Sequence, residues 1–204
     1  MSGRLFYVMG PSGAGKDSLL KAVKPLLYGL PVAFVRRYIT RSSAQGEWHI
    51  PVTRTRFARM EEEGAFALTW FSHGCSYGIA KSIDCALAHG IFPVVNGSRE
   101  ALPRAQHHYP DLVPFLIDVD PAILRSRLEG RGRESGADIE ERLQRAFMPL
   151  PPVPGMQPCL HIDNSGSLEE AASHMARLIQ HFISRDTDLN EPALPGRIVP
   201  GRVI

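Results

Sequence analysis

The run Gly10-Pro11-Ser12-Gly13-Ala14-Gly15-Lys16-Asp17-Ser18 carries the chemistry that the rest of the chain has to serve. Glycines at 10, 13 and 15 let the backbone turn tightly and aim its N–H groups inward, as a phosphate cradle needs. Lys16 adds a full positive charge within reach of a β- or γ-phosphate. The usual pattern sets Ser or Thr after the lysine to hold Mg²⁺; here Asp17 stands there and Ser18 follows. A carboxylate is a good hard-oxygen ligand for Mg²⁺, yet it also sets a negative charge beside the phosphates. Asp17 therefore meets the metal directly or through water, and both arrangements stay open.

Position supports this reading. The apolar run Leu5-Phe6-Tyr7-Val8-Met9 precedes the glycines and an amphipathic stretch from Ser18 to about Leu27 follows. Strand, glycine-rich turn, helix is the context of a phosphate-binding loop, and the helix N-terminus adds partial positive charge.

Arginines cluster at two further loops. Arg36-Arg37-Tyr38-Ile39-Thr40-Arg41 places three of them at the end of a β-rich run, which suits bidentate anion binding. Gly130-Arg131-Gly132-Arg133-Glu134-Ser135-Gly136 lies between two helical stretches, the second bearing Arg142 and Arg145, and reads as an arginine lid. Asn96-Gly97-Ser98-Arg99 follows the apolar run Ile91–Val95; ligands of open parallel sheets sit at such strand ends, so Asn96, Ser98 and Arg99 are candidate substrate contacts. Together these loops match phosphoryl transfer from ATP to a small anionic acceptor. That reaction needs charge neutralisation and in-line positioning, with a lid to keep water out.

The elements that must position these loops alternate. After the first helix, Val32–Ile39 is expected as one strand, and Thr53 as the cap of a helix to Glu63, ended by Gly64. Ala65–Phe71 is expected as a strand, Ser72–Gly78 as a loop and Lys81–His89 as a helix. Ile91–Val95 then reads as a central parallel strand, Arg99–His107 as a helix and Leu112–Val119 as another strand. Asp120-Pro121 opens the helix that leads to the lid, and Ile139–Phe147 continues after it. Met148–Pro158, with five prolines, reads as a rigid connector. Cys159–Ile162 is a short strand and Ser167 to about Ile183 a helix. The expectation is α/β, with a parallel sheet of about five strands. Residues 1–184 form a single kinase domain, with an insertion over about 36–78 and a lid over about 130–138; 185–204 read as a flexible tail.

Composition excludes little but consistently. The 204 residues, 44% hydrophobic and 22% charged, suit one α/β domain with a sizeable core. A net charge of +2 does not argue for nucleic acid. Cys75, Cys85 and Cys159 are odd in number and form no C-x-x-C, so neither a disulfide framework nor a structural zinc site is expected. No apolar run nears the length of a membrane span and no signal peptide is expected before the first strand, so a cytoplasmic location is expected.

Gly10–Lys16, Thr40-Arg41, Gly46-Glu47, Tyr77-Gly78 and Arg131-Gly132-Arg133-Glu134 fall in the order seen in guanylate kinases. From about residue 4 to 183 the chain resembles that P-loop group, which implies a three-layer, guanylate-kinase-like fold with an acceptor-binding insertion. It also departs from the group. The place of a second phosphate-binding arginine is Ala44, and that of a phosphate-holding tyrosine falls at His49. Thr69, before Trp70, replaces the glutamate that reads guanine, and Asn96 replaces an aspartate at the central strand's end. Without the glutamate, guanine loses the acceptor for its N–H groups, a costly loss in a buried site.

Those departures resemble a narrower family, the ribose 1,5-bisphosphate phosphokinases of phosphonate catabolism. The likeness runs through Gly15-Lys16-Asp17-Ser18, Arg37–Arg41, Gly46-Glu47 with His49, Leu68-Thr69-Trp70 and His73-Gly74. It continues through Tyr77-Gly78-Ile79, Val94–Arg99 and Arg131–Glu134. The resemblance implies transfer of the γ-phosphoryl of ATP, with Mg²⁺, to the 1-phosphate of ribose 1,5-bisphosphate, giving 5-phosphoribosyl 1-diphosphate. It implies that Gly10 to Ser18 hold the ATP phosphates and that Arg131 and Arg142 close on the transferring group, with Arg133 near adenine or phosphate. Arg37 and Arg41 would hold acceptor phosphates, and Asn96, Ser98 and Arg99 would meet ribose hydroxyls or the second phosphate. His49, His73 and Tyr77 would line the acceptor pocket, while Trp70 reads as core. The partner is a small sugar bisphosphate; neither nucleic acid nor membrane is expected, and a homodimer stays open. Two rival readings remain: a guanylate or other nucleoside monophosphate kinase, and a non-catalytic kinase-like binding module.

Overall fold

The computed structural model describes residues 3–42, 48–130, 136–150, 153–155 and 157–188. In chain order its elements begin with β1 (Phe6–Met9), α1 (Lys16–Leu26), β2 (Val32–Val35), β3 (Arg37–Ile39), β4 (His49–Pro51), α2 (Arg54–Glu62), β5 (Phe66–Ser72) and β6 (Cys75–Ala80). They continue with α3 (Ser82–Ala88), β7 (Phe92–Asn96), α4 (Leu102–His108), β8 (Val113–Asp118), α5 (Pro121–Glu129), α6 (Gly136–Ala146), β9 (Leu160–Asp163) and α7 (Leu168–Asp188).

Five strands pair in parallel in the order β2-β7-β1-β8-β9, as the alternation of apolar runs and helices implies. In β1 the pleat sends Phe6 and Val8 to one face and Tyr7 and Met9 to the other, and all four are fully buried. The first face packs against Leu19 and Val23 of α1, Leu124 and Leu128 of α5, Leu143 of α6 and Met175 of α7. The second packs against Ile83 of α3, Leu102 of α4, and Leu68, Trp70 and Ile79 of a smaller sheet. Two prolines sit in these central strands without breaking them. The amide of Phe92 donates to Pro31 and that of Val113 to Leu5. The nitrogens of Pro93 and Pro114 therefore face the other neighbour, where pairing begins one residue later, at Val94 and Phe115.

The smaller sheet has four strands, ordered β4-β3-β6-β5. Its β3 pairs in parallel with β4 and antiparallel with β6. The single strand expected over Val32–Ile39 is thus two, one in each sheet, with exposed Arg36 at the crossing. Propensity ran unbroken through the segment; only the partner strand decided where it divides. The loop expected over Ser72–Gly78 is a hairpin instead. His73 (φ +48) and Gly74 (φ +71) form its two-residue turn, and Trp70 pairs with Tyr77. Helix α2 forms as expected, with the Thr53 hydroxyl accepting from the Arg56 amide at 3.2 Å.

Helix α7 runs past Ile183 to Asp188, so residues 185–188, expected in the tail, form its last turn. Asp186 there meets Arg4 at 2.7 Å, an ion pair linking the helix end to the start of β1. Residues 189–204 lie outside the described residues. Among the described residues no helix is long and apolar enough to cross a membrane.

Candidate active site

The nine residues after β1 are held as backbone. Gly10, Gly13 and Gly15 take φ values of +152°, +99° and +81°, which L side chains avoid. Space forbids side chains as well: a Cβ on Gly10 would stand 2.7 Å from the Ile117 carbonyl oxygen, and one on Gly15 2.6 Å from Asn164 Nδ2. Pro11 and Ala14 are buried, while Ser12 and Ser18 are exposed. Lys16 opens α1, and its Nζ folds over the loop to donate to the carbonyls of Gly10 at 2.8 Å and Pro11 at 2.7 Å. The Lys16 ammonium and the N-terminus of α1 thus lie together at this glycine loop, an arrangement suited to a chain of phosphates.

Asp17 is the junction between this loop and the acceptor side. Its Oδ1 accepts from Asn96 Nδ2 at 2.8 Å and lies 3.4 Å from Arg37 Nη2. Asn96 is buried at the C-terminal end of β7, beside β1, and Arg37 opens β3. Three segments far apart in sequence therefore meet at one carboxylate oxygen.

From Arg37 the site runs into the smaller sheet. The guanidinium lies 5.8 Å from the centre of the Tyr77 ring, which stacks on Trp70 at 5.3 Å with a 4° interplanar angle. Burial pushes the Tyr77 phenol above its ordinary pKa, and Cys75 adds to this; Arg41, which hydrogen-bonds the side chain, and Arg37 oppose it. His49 is buried, with Nε2 3.4 Å from the Arg41 carbonyl. Thr40 ties β3 to β6, its hydroxyl accepting from the Ser76 amide at 2.8 Å. His73 is exposed at the hairpin tip, where the turn geometry sets its backbone.

The turn after β7 is locked from below. Tyr7 Oη donates to the Ser98 carbonyl and accepts from the Ser98 amide, each at 2.9 Å, and a Cβ on Gly97 would fall 2.1 Å from the Tyr7 ring. Burial pushes the Tyr7 phenol up to about 12, against the opposing effects of the Ser98 hydrogen bond, Arg104 and Arg37. Arg99, expected to meet substrate, turns its Nη1 to the carbonyls of Ala146 at 2.6 Å and Met148 at 3.4 Å, at the end of α6. Arg142 of α6 reaches Ser12 Oγ at 3.0 Å, so the helix bears on the glycine loop. Arg131 and Arg133 lie outside the described residues, as do Ala44, Gly46 and Glu47.

Two residues of the site escaped the sequence reading. Asn164, buried after β9, donates to the Ala14 carbonyl at 2.7 Å and closes the loop from behind; Arg127 of α5 donates to the Asn164 carbonyl at 2.9 Å. The rule that flagged Asn96, a polar residue at the C-terminal end of a parallel strand, covers Asn164 equally. Tyr7 gave no such signal, since a tyrosine in an apolar strand reads as core. Among the described residues no three His, Cys, Asp or Glu side chains gather as a metal site. A phosphate-borne Mg²⁺, which takes only one or two carboxylates from protein, needs no such cluster.

No protein-family model matches the chain. Among solved structures it resembles guanylate kinase from Anaplasma phagocytophilum, with a TM-score of 0.62 at 17% identity over 89% of this chain and 86% of that one. A gluconokinase from Sinorhizobium meliloti gives 0.52 at 17% identity, over 93% and 98%. At such identity they establish the fold, the guanylate-kinase-like P-loop α/β architecture expected from the sequence. Relatives in sequence are closer. The ribose 1,5-bisphosphate phosphokinase PhnN of Desulfomicrobium baculatum is 47% identical over 178 residues, 86% of this chain and 94% of that protein. That of Pseudomonas fluorescens is 47% identical over 184 residues, 89% and 97%. With its P-loop fold and likeness of this extent over nearly the whole length of these enzymes, the chain belongs to the ribose 1,5-bisphosphate phosphokinase family.

Proposed function

We propose that this protein transfers the γ-phosphoryl group of ATP to the 1-phosphate of ribose 1,5-bisphosphate, releasing ADP and 5-phosphoribosyl 1-diphosphate. The observation that carries the reading is the placement of Arg37. It lies 3.4 Å from a P-loop carboxylate and over the Tyr77 ring, where donor loop and smaller sheet meet. An acceptor phosphate held there would face the end of a nucleotide held by the glycine loop.

The attacking group is a phosphate oxygen, ionised at neutral pH, so the protein needs no strong general base; its work is positioning and charge neutralisation. The backbone N–H groups from Gly10 to Ser18, Pro11 excepted, and the Lys16 ammonium hold the β- and γ-phosphates. Arg142, beside Ser12, brings positive charge to the transferring group. Arg37 and Arg41 take the acceptor phosphate, with Tyr77 and buried His49 as the pocket wall, while Asn96 and Ser98 face the sugar. Asp17 would hold Mg²⁺, directly or through water, and the ion would offset phosphate charge. Thr69 offers guanine no carboxylate, which argues against a nucleotide acceptor.

The test is ADP release by purified protein with ATP and Mg²⁺, offering ribose 1,5-bisphosphate and GMP in parallel. Turnover with the sugar bisphosphate alone supports the reading. Turnover with GMP overturns it in favour of a nucleoside monophosphate kinase, and absence of ATP binding by calorimetry would favour a non-catalytic module.

A further inference from the structure

We infer that Arg99 is a positioning residue rather than a substrate contact: it holds the C-terminal end of α6 so that Arg142 rests on the glycine loop. The inference rests on the phosphotransfer reading above for its kinetic consequences, and on geometry alone for its structural one.

A helix leaves its last carbonyls without intrahelical partners, and cations near that end are favoured. Arg99 supplies the cation to α6. Its Nη1 takes the carbonyls of Ala146, the last residue of the helix, and Met148, just beyond. Arg142 lies one turn earlier, about 6 Å along the axis, and donates to Ser12 Oγ at 3.0 Å. Arg99 at its end and Arg142 one turn earlier thus tie this helix to the turn after β7 and to the glycine loop.

Arg99 can act this way because its own base is rigid. Tyr7 clamps the Ser98 backbone through two hydrogen bonds, and the absence of a side chain on Gly97 lets the Tyr7 ring lie against the turn. Burial lowers the Arg99 guanidinium from its ordinary pKa, with Glu100 opposing. The links close a circuit: β1 through Tyr7 to the turn after β7, Arg99 to α6, and Arg142 back to Ser12 in the loop that β1 itself opens into. Asn96, the last residue of β7 before this turn, donates to Asp17 at 2.8 Å. The end of β7 and its turn therefore serve both the loop carboxylate that faces the acceptor and the helix that faces the donor.

The test compares Arg99→Ala, Arg142→Ala and the double variant, with amide hydrogen exchange as the readout that needs no turnover. Arg99→Ala is expected to lower kcat about 10- to 100-fold, as small misplacements of charge do, while KM for ribose 1,5-bisphosphate stays within about twofold. In the Arg142→Ala background it should cost little more, because its effect passes through Arg142. Exchange at the end of α6, residues 143–148, should rise about tenfold or more with β1 and β8 unchanged. Arg99→Lys, which keeps the charge and loses the guanidinium, should fall between and serves if Arg99→Ala does not fold. A KM raised tenfold with kcat and α6 exchange unchanged would overturn the inference and make Arg99 a substrate contact; full additivity with Arg142→Ala would also overturn it. Should the protein fail to use the sugar bisphosphate at all, the exchange comparison still decides the structural claim.

Discussion

On the proposed reading, the glycine loop and the smaller sheet solve the same problem, holding a phosphate, by opposite means. The loop is built from backbone. Its conformation is fixed by three positive φ angles, by the Ile117 carbonyl against Gly10 and by the buried Asn164 amide against Gly15 and Ala14. The acceptor side is built from side chains: Arg37 between Asp17 and Tyr77, Tyr77 on Trp70, Arg41 on Tyr77. Towards a phosphate, backbone can offer only N–H groups, from which every phosphate accepts, so the donor side is generic and strict. Side chains can be exchanged one at a time, so the acceptor side is where a P-loop fold changes its substrate. Thr69 and Asn96, at odds with a guanine reader, both lie outside the loop.

The contrast can be broken by experiment. The largest effect is expected at Lys16. Lys16→Ala removes the one ammonium folded over the loop carbonyls, and kcat should fall about 10³-fold or more with every acceptor; a loss confined to one acceptor would contradict a generic donor side. Next is Arg37→Ala. Removing a charged hydrogen-bond donor costs about 1.5–3 kcal/mol, so KM for ribose 1,5-bisphosphate should rise roughly 10- to 100-fold while ATP affinity by calorimetry changes little. Equal losses for both substrates would erase the distinction drawn here.

Asn164→Ala probes strictness from behind. It strands the Ala14 carbonyl and should lower stability by about 1–3 kcal/mol, visible as a lower Tm that added ATP partly restores. The smallest effect is expected at Tyr7, and only in alkali at full size. Its phenol is raised by burial to about 12, so the folded state binds a proton that the unfolded chain, near 10, gives up first. That contribution is fully present below pH 10 and is lost as pH climbs towards 12, so stability falls over this window. Tyr7→Phe should flatten the fall while costing about 1 kcal/mol at neutral pH from the hydrogen bonds to Ser98. An unchanged alkaline limb would mean that Tyr77 and Tyr109, whose phenols are also raised by burial, carry it instead.

What the sequence determined by itself was whatever depends on local rules. Glycine spacing after an apolar run fixed the phosphate loop, because φ > 0 and close approach admit no other residue. Alternating apolar runs and amphipathic stretches fixed the five-stranded parallel sheet, and Thr53, Asp120 and Gly64 fixed helix ends. Tertiary structure alone decided what depends on partners distant in the chain. It divided Val32–Ile39 between two sheets and made a strand of Cys75–Ala80, since strand identity rests on hydrogen bonds that a neighbour supplies. It brought Asp17, Arg37 and Asn96 to one oxygen and set Arg99 against the end of α6. Residue type announces that an arginine will find an anion or a carbonyl; which one it finds is set by where the fold leaves an unpaired acceptor.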